Sequence, residues 1–218
     1  MLPESITKVT EKLMQFPALG RRSSQKIALQ ILEQNETEFK QFVDDLEEMK
    51  RSVTFCPTCH FFSEKNLECN VCQDRTRKDW QLCVVEKATE AIVMEKSMVF
   101  RGRYHVLGKL ISPLDNVFAQ NTNIPSLMER LQKMVEVKKA AALDDSSKFQ
   151  QIELILFLQP SFNAEATTAY IREKIKELDL ENYVRLSKMA QGLPSFYNVD
   201  TLDQETLAKS IEGRVVLI

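Results

Sequence analysis

The sequence has few cysteines, no long apolar run and no large excess of charge of either sign. Its five cysteines among 218 residues fall far below the density of a secreted disulfide scaffold. The N-terminal stretch MLPESITKVTEKLMQF has no apolar segment behind a basic one, and therefore predicts no secretory signal. The longest apolar run, near residues 153–158, is too short to cross a bilayer. These absences predict a cytoplasmic protein, away from membranes, whose thiols are reduced.

Charge is nearly balanced over the chain but unevenly distributed along it. The 29 Lys and Arg residues against 31 Asp and Glu residues give a net charge of −2, which does not by itself indicate nucleic-acid binding. Residues 1–30 nevertheless carry five basic side chains against two acidic ones, whereas residues 31–50 carry seven acids against two lysines. Any contact with a nucleic acid must therefore use a local basic face.

Four of the five cysteines form two C-x2-C pairs in the stretch FCPTCHFFSEKNLECNVC. The pairs Cys56/Cys59 and Cys69/Cys72 are nine residues apart. Two such turns in a reduced chain can direct four thiolates at one tetrahedral Zn²⁺ ion, and the closed shell leaves no position for a reacting water molecule. The spacing therefore predicts one structural zinc ion, the alternative being two unrelated pairs of buried thiols.

The fifth cysteine and the two histidines of the chain have simpler structural explanations than metal binding. His60 can replace one thiolate, although a histidine at this position is more commonly just exposed. Cys83 lies in the apolar run LCVVE and is expected to be a small buried core residue. His105, in YHVL, is expected to be a hydrogen-bonded strand residue rather than a ligand.

The N-terminal region has the pattern of a helical hairpin. Apolar spacing predicts a helix over residues 3–16, which Pro17 and Gly20 interrupt, and Ser23 or Ser24 can cap the helix that follows. A further helix is predicted near residues 36–50, and it leads into the cysteine module.

Basic residues mark the start of the second predicted helix. Arg22 and Lys26 lie four residues apart and share a face beside a helix N-terminus, whose free N–H groups attract phosphate. This arrangement is typical of a helix-hairpin-helix, which holds the DNA backbone without reading bases. The alternative is an ordinary helical hairpin with a solvated basic end.

Strand and helix patterns alternate after residue 78. Buried strands are predicted at residues 80–86, at QIELILFLQP and at NYVRLSKMA, with helices between them. This alternation predicts a mainly parallel sheet with helices on both faces, in which function gathers at the carboxyl ends of the strands. The residues predicted at those ends are Glu86, Gln159-Pro160-Ser161 with Asn163 and Glu165, and Gly192-Leu193-Pro194.

The order of these parts resembles the RecR family of bacterial recombination mediators. The segments that carry the resemblance, between about residues 2 and 214, are CPTC, CNVC, LCVVE, RGRYHVLG, ISPLD, EATTAYI, GLP and TL…EGR. The resemblance implies a multi-module α+β and α/β fold in four parts. These are a helix-hairpin-helix domain (1–53), a four-cysteine zinc finger (54–77), a Toprim domain with a mainly parallel sheet (78–175), and a C-terminal region (176–218) that completes the sheet and the subunit contacts.

The family resemblance also implies a function. Members are not enzymes, and they assemble into dimers and ring-like tetramers that can encircle DNA. They work with RecO, and in some settings RecF, to load RecA onto gapped single-stranded DNA coated by SSB. The chain is accordingly expected to bind single-stranded and duplex DNA through the backbone, in the cytoplasm at the nucleoid.

The resemblance assigns roles to individual residues. The DNA contacts of the family fall on Arg22 and Lys26, and Arg21, Lys8 and Lys12 are further candidates on the same hairpin. The zinc ligands fall on the four paired cysteines, Cys56, Cys59, Cys69 and Cys72. The acids that contact partner proteins fall on Glu86 and Glu165.

The sequence departs from the family pattern at several turns and strand ends. Ala18 replaces a glycine of the hairpin, Lys109 replaces a glycine after YHVLG, and Asn163-Ala164-Glu165 has lost one acid. The loops at 116–120 and 195–200 also differ. These changes concern partner surfaces and subunit loops more than the fold or the zinc site.

Two alternative functions remain. A catalytic Toprim enzyme, such as a nuclease or a primase, needs a Glu and a D-x-D pair to hold Mg²⁺. Glu86 supplies the first, but the expected D-x-D position reads Gln159-Pro160-Ser161. The other alternative is a zinc-stabilised assembly module that does not bind DNA. The C-terminal EGRVVLI is predicted to be a strand that pairs with a sheet edge, which subunits can exchange.

Overall fold

The computed structural model describes residues 2–65, 67–141, 150–188 and 204–217. The chain forms two compact units, Met1–Ser52 and Val53–Ile218. Within the described ranges, none of the helices combines the length and apolarity that a membrane crossing requires. The predicted strand-end residues Gly192-Leu193-Pro194 and the loop at 195–200 lie outside the described residues.

The first unit contains three helices, as the sequence pattern predicts. They are α1 (Glu4–Leu13), α2 (Arg21–Glu33) and α3 (Glu36–Ser52). Helices α1 and α2 pack against each other and bury Thr10, Ser24 and Ala28. Helix α3 buries none of its own residues, so its apolar side chains remain partly exposed on this single chain.

The cap predicted for α2 is wrong. The helix begins at Arg21, so Gly20 occupies the N-cap position and its carbonyl accepts the N–H of Ser24 at 3.0 Å. Ser24 instead lies one turn inside the helix, fully buried, and its hydroxyl has no hydrogen-bond partner among the described residues. Because the helix starts earlier than expected, both Arg21 and Arg22 fall in its first turn.

The turn between α1 and α2 keeps a left-handed residue although its glycine has been replaced. Ala18 has a φ of 63°, a region that glycine adopts freely and that costs other L-residues about 1–2 kcal/mol. The methyl group of Ala18 is therefore accommodated at the expense of local strain in this turn.

The second unit contains the cysteine module and an α/β layer structure. In chain order its elements are β1 (Val53–Phe55), β2 (Phe62–Glu64), α4 (Asn70–Gln73), β3 (Gln81–Val85), α5 (Ala88–Ser97), β4 (Arg103–Val106), α6 (Ile124–Ala141), β5 (Ile152–Phe157), α7 (Phe162–Glu177), β6 (Val184–Lys188), α8 (Gln204–Glu212) and β7 (Val215–Val216). Short 3-10 turns at Pro113–Asp115 and Ala119–Asn121 lie between β4 and α6.

Five strands form one sheet in the order β4-β3-β5-β6-β7. The first four are parallel, with Leu82 opposite Arg103 on one side and Leu154 on the other, while β7 pairs antiparallel with β6. The mainly parallel sheet of the prediction is thus present. The predicted C-terminal strand pairs with the edge of its own chain's sheet.

Helices cover both faces of the sheet. Leu82, Val84, Leu154 and Leu156 pack on one face in a core that also contains residues of α6 and α7. The alternate residues of the same strands, including Cys83, pack on the other face with residues of α5 and α8. Cys83 is fully buried, as predicted. Strands β3 and β5 are therefore enclosed on both faces, and polar side chains are displaced to their ends.

We predict that Ala18→Gly stabilises the α1–α2 hairpin. Relief of the left-handed strain is worth about 1–2 kcal/mol, and the greater backbone entropy of glycine in the unfolded chain offsets about 0.4–1 kcal/mol of it. Hydrogen exchange of the α1 and α2 amides should report slower opening. Gln30→Gly, at an exposed position inside α2, should instead cost about 1 kcal/mol. Faster exchange in Ala18→Gly would contradict the assignment of strain.

Candidate metal centre and nucleic-acid interface

The first cysteine pair lies in the loop that joins β1 and β2. These two strands pair antiparallel, and the N–H of Cys56 donates to the carbonyl of Phe61 at 2.6 Å to close the loop. The N–H of His60 donates to the carbonyl of Cys56 at 2.9 Å, and His60 has a φ of 59°. This tight turn points both sulfurs, of Cys56 and Cys59, to the same side.

The second pair lies at the start of the short helix α4. Cys69 occupies the N-cap position, and the N–H of Cys72 donates to its carbonyl at 2.9 Å. The N–H of Cys69 lies 3.4 Å from the sulfur of Cys56, so the backbone of one pair solvates the sulfur of the other.

The four sulfurs have the spacing that a tetrahedral metal ion requires. All four cysteines are buried, and their Sγ atoms lie within 4.8 Å of one another. Zn–S bonds of about 2.3 Å in a tetrahedron place the sulfurs about 3.8 Å apart. The cluster can therefore hold one metal ion with no open coordination position.

The thiols of the cluster differ in pKa. Hydrogen bonds from the thiols of Cys59 and Cys72 lower the pKa of Cys69 to about 2, and the hydrogen bond to Cys69 raises the pKa of Cys59. The Sγ atoms of Cys59 and Cys69 are 3.4 Å apart. Because thiolates are the form that binds a metal ion, a divalent cation would displace the protons that these sulfurs share.

The cysteine module is attached to the α/β layers by direct hydrogen bonds. The N–H of Val106, at the end of β4, donates to the carbonyl of Cys59 at 2.8 Å. The Nε2 atom of His60 lies 2.7 Å from the hydroxyl oxygen of Ser126 on α6. His60 is therefore partly buried and hydrogen-bonded, contrary to the expectation that it is simply exposed, because α6 covers it.

His105 lies beside His60 inside this joint. The two rings are 5.3 Å apart, edge to face, and the Nε2 atom of His105 lies 2.9 Å from the carbonyl oxygen of Asn123. Burial lowers the pKa of His105 to about 3, so the ring is neutral at physiological pH and Nε2 carries the donated proton. Its Nδ1 atom is buried and has no hydrogen-bond partner within the part of the chain that the structure describes. The expected strand hydrogen bond is thus made through one nitrogen only.

The basic residues predicted to contact DNA lie on α1 and α2. Arg21 and Arg22 are exposed in the first turn of α2, which contains no acidic residue, and Lys26 is exposed one turn later. Lys12 is exposed on α1, where Lys8 forms an ion pair of 2.7 Å with Glu4.

Four of these five cations have no ion-pair partner in the part of the chain that the structure describes. Only Lys8 is neutralised, and its pair with Glu4 is exposed and therefore weak. The start of α2 thus combines free positive side chains with the positive end of a helix dipole. This combination suits an anion such as a phosphate group.

The two predicted partner-binding acids lie at the carboxyl edge of the sheet. Glu86 follows β3, and its side chain is about one-quarter exposed. Glu165 lies in the first turn of α7, after β5, and is more exposed, with one carboxylate oxygen 3.3 Å from the Nζ atom of Lys188 at the end of β6. Since β3 and β5 are parallel neighbours, both acids lie at the same edge, although Glu165 is already paired with a cation.

A catalytic Toprim enzyme would hold its metal ion with a D-x-D pair after β5. At this position the present chain has Ser161, which stabilises the start of a helix instead. The hydroxyl of Ser161 accepts the N–H of Ala164 at 3.1 Å and caps α7. Capping hydroxyls of this kind stabilise a helix start, and they carry no charge with which to bind Mg²⁺.

Sequence reasoning missed Glu90, a buried acid at this edge. Its carboxylate accepts the N–H of Glu86 at 2.8 Å and that of Lys87 at 3.3 Å, and so holds the end of β3 against the start of α5. Burial raises the pKa of Glu90 to about 7. The signal was available, because an acid three residues after a helix N-cap is the second half of a capping box.

A second missed residue is Arg130 on α6. Its Nη1 atom donates to the carbonyl of Tyr104 at 2.7 Å, next to the joint between β4 and the cysteine module. Nothing in the local sequence distinguishes Arg130 from the other cations of this helix, because its position depends on how α6 packs.

Comparison with known proteins identifies the α/β layers and the family. A model of the Toprim domain family matches residues 81–187, from the start of β3 to the end of β6. A curated relative from Staphylococcus saprophyticus, named "Recombination protein RecR", is 35% identical over 97% of this chain and 97% of its own length. The protein of the same name from Staphylococcus aureus strain Newman is 34% identical with the same coverage. With this identity over nearly the whole of both chains, the protein belongs to the RecR family of recombination proteins.

Proposed function

We propose that this protein is a zinc-containing, DNA-binding recombination mediator without catalytic activity. In this role it would act with RecO, and in some settings RecF, to load RecA onto SSB-coated single-stranded DNA at gaps. The observation that best supports the proposal is the start of α2, where exposed Arg21 and Arg22, without an ion-pair partner among the described residues, lie beside the N–H groups of the first helical turn. Such a site holds phosphates and does not read bases, as a mediator that acts at any gap requires.

Membership of the RecR family supports this role, and the hairpin supplies the physical means. The left-handed Ala18 preserves the turn that positions the N-terminus of α2. Lys26 lies one helical turn after Arg22, so both cations can reach successive phosphates. Lys8 and Lys12 on α1 would add weaker, longer-range attraction.

We expect the double variant Arg22→Glu, Lys26→Glu to lose DNA affinity by at least about tenfold. Each lost phosphate contact also reduces the slope of log affinity against log salt, by about 0.9 for duplex and 0.7 for single-stranded DNA. Fluorescence anisotropy with single-stranded, duplex and gapped DNA over a salt series measures both quantities.

The matched control makes the same charge change elsewhere in the same unit. Lys40 and Lys50 are exposed on α3, and Lys40→Glu, Lys50→Glu alters the net charge equally. If the control loses as much affinity as the hairpin variant, overall charge and not the hairpin governs binding. If wild-type protein binds no DNA at any salt concentration, the zinc-stabilised assembly module becomes the better account.

The metal that we propose for the four cysteines is Zn²⁺. Four thiolates and a closed tetrahedral shell suit zinc, and hard cations such as Mg²⁺ prefer oxygen ligands. The cysteines Cys56, Cys59, Cys69 and Cys72 would hold the ion, which would supply structure and no reaction step. The predicted division of the chain at 54–77 treats this module as separate, whereas its hydrogen bonds join it to β4 and α6.

Removal of the metal should loosen residues 55–75, because metal-binding energy in such a module is folding energy. Elemental analysis of the purified protein should give one zinc per chain, and Cys69→Ser should lose it. Hydrogen exchange after chelation should show rapid exchange in this region while strands β3 and β5 stay protected. Unchanged exchange of residues 55–75 in metal-free protein would exclude the structural role.

The acids at the carboxyl edge are proposed to contact a basic partner, of which RecO is the expected one. Glu165 is exposed, and its pairing with Lys188 at 3.3 Å is weak enough to be exchanged for a partner's cation. Glu86 is less exposed, so it would contribute only after the partner has docked.

We expect Glu86→Ala, Glu165→Ala to weaken binding to the cognate RecO and to leave DNA binding by the hairpin unchanged. The loss should be larger at low salt, since charge pairs at the rim of an interface are screened. Titration calorimetry measures it. Glu129→Ala, Glu136→Ala removes two exposed acids from α6 and is the control. If Glu86→Ala, Glu165→Ala binds RecO as tightly as wild type does, the proposed partner contact of these two acids is wrong.

Self-assembly completes the proposed function. Helix α3 exposes Phe39, Phe42, Leu46 and Met49, which recur at helical spacing along one side. Such a face suits contact with another copy of the chain, consistent with the dimers or ring tetramers that the family resemblance implies. Several hairpins would then act on one DNA molecule and raise the overall affinity.

A further inference from the structure

Arg130 is a partly buried cation that forms no ion pair with a carboxylate among the residues described by the structure. Its guanidinium donates a hydrogen bond to a neutral group, the carbonyl of Tyr104, at 2.7 Å. A second arginine, Arg103, is close enough to repel it. A cation in such a place needs an anionic counterpart, because burial of an uncompensated charge is costly.

The cysteine module adjoins the strand that holds Arg130, because Tyr104 accepts its hydrogen bond and Val106 on the same strand donates to the carbonyl of Cys59 at 2.8 Å. Burial lowers the pKa of Arg130, and thiolates at Cys72, Cys59 and Cys56 would oppose that shift because their negative charge favours the guanidinium cation. Four thiolates around one divalent zinc ion leave a net charge of −2 in a buried site. A positive side chain nearby would stabilise that charge.

The fold fixes Arg130 in this place through two elements. Ser126 lies four residues earlier on the same face of α6, and its hydroxyl contacts His60, the residue after Cys59. On β4, Tyr104 accepts the hydrogen bond of Arg130, and Val106, two residues further, donates to Cys59. Arg130 is therefore held at the seam where α6 and β4 meet the cysteine module.

We propose that Arg130 is the counter-ion of the four-cysteine centre, so that α6 of the α/β layers sets the affinity of the zinc finger for its metal. This inference rests on the proposed zinc site, and it extends that site to a residue 58 positions away from its last ligand in sequence. Arg130 would not touch the metal. It would act through charge, and the zinc finger and the α/β layers would be stabilised together.

Substitution of Arg130 separates its charge from its hydrogen bond. Arg130→Gln keeps an N–H donor for the carbonyl of Tyr104 and removes the charge, whereas Arg130→Lys keeps the charge. Changes to residues that surround a metal site without binding the metal typically cost 10–100-fold in affinity. We therefore expect Arg130→Gln to weaken zinc binding by about tenfold or more, and Arg130→Lys to stay within about threefold of wild type.

The measurement is a competition for zinc between the full-length protein and a chromophoric chelator. Co²⁺ substitution, followed by its thiolate absorption bands, checks that each variant keeps the four-sulfur geometry. Lys133→Gln removes an exposed charge from the same helix and is the control, expected to match wild type. Circular dichroism of the zinc-loaded proteins checks the fold.

The outcomes distinguish this inference from the proposal on which it rests. If wild-type protein takes up no zinc, the proposed zinc site fails, and the role of Arg130 fails with it. If wild type binds zinc and Arg130→Gln binds it equally tightly, or Lys133→Gln weakens binding as much, only the counter-ion role is overturned. Should Arg130→Gln fail to fold, Arg130→Lys must restore both the fold and the affinity, and its failure to do so would also overturn the role.

Discussion

Burial of strands β3 and β5 on both faces is the constraint on which the second unit depends. Their side chains alternate between two apolar cores, so neither strand has a face on which a polar group can be exposed. Polar and charged residues are therefore placed at the strand ends, such as Glu86 after β3, or on the helices that follow, such as Glu90 in α5, whose carboxylate accepts the N–H of Glu86. The same constraint shapes the edge that we propose as a partner surface.

The cysteine module depends on that sheet as well as on its own sulfurs. A module of about 20 residues cannot bury a core of its own and needs a metal ion or a neighbouring domain for stability. Here the hydrogen bond from Val106 to Cys59 and the contact of His60 with Ser126 attach it to β4 and α6. Under the proposed counter-ion role of Arg130, loss of a bound metal would be felt at β4 and α6, which contact the module, while β3 and β5 keep their own apolar cores.

Much of the candidate site could be predicted from local sequence patterns, and each wrong prediction has an identifiable physical cause. The C-x2-C spacing predicted a cluster that the structure brings together within 4.8 Å. The three N-terminal helices and the parallel strands followed from apolar periodicity. The serine cap of α2 was predicted wrongly because Gly20 already ends the turn, and α2 therefore begins before either serine. His60 was expected to be exposed because no residue near it in sequence indicates that α6 covers it. Ser126 of α6, which contacts His60, lies 66 residues later in the chain.

The sequence by itself determined the metal-binding pattern, the order of the modules, the basic start of α2 and the family to which the chain belongs. These depend on spacing and residue type over a few positions, which local chemistry constrains. Only the tertiary structure decided that Ala18 takes a left-handed conformation, that Glu165 is paired with Lys188, and that Arg130 is hydrogen-bonded to Tyr104 beside the cysteine module. These depend on contacts between distant segments, and the packing of α6 and of the strand ends is what sets them.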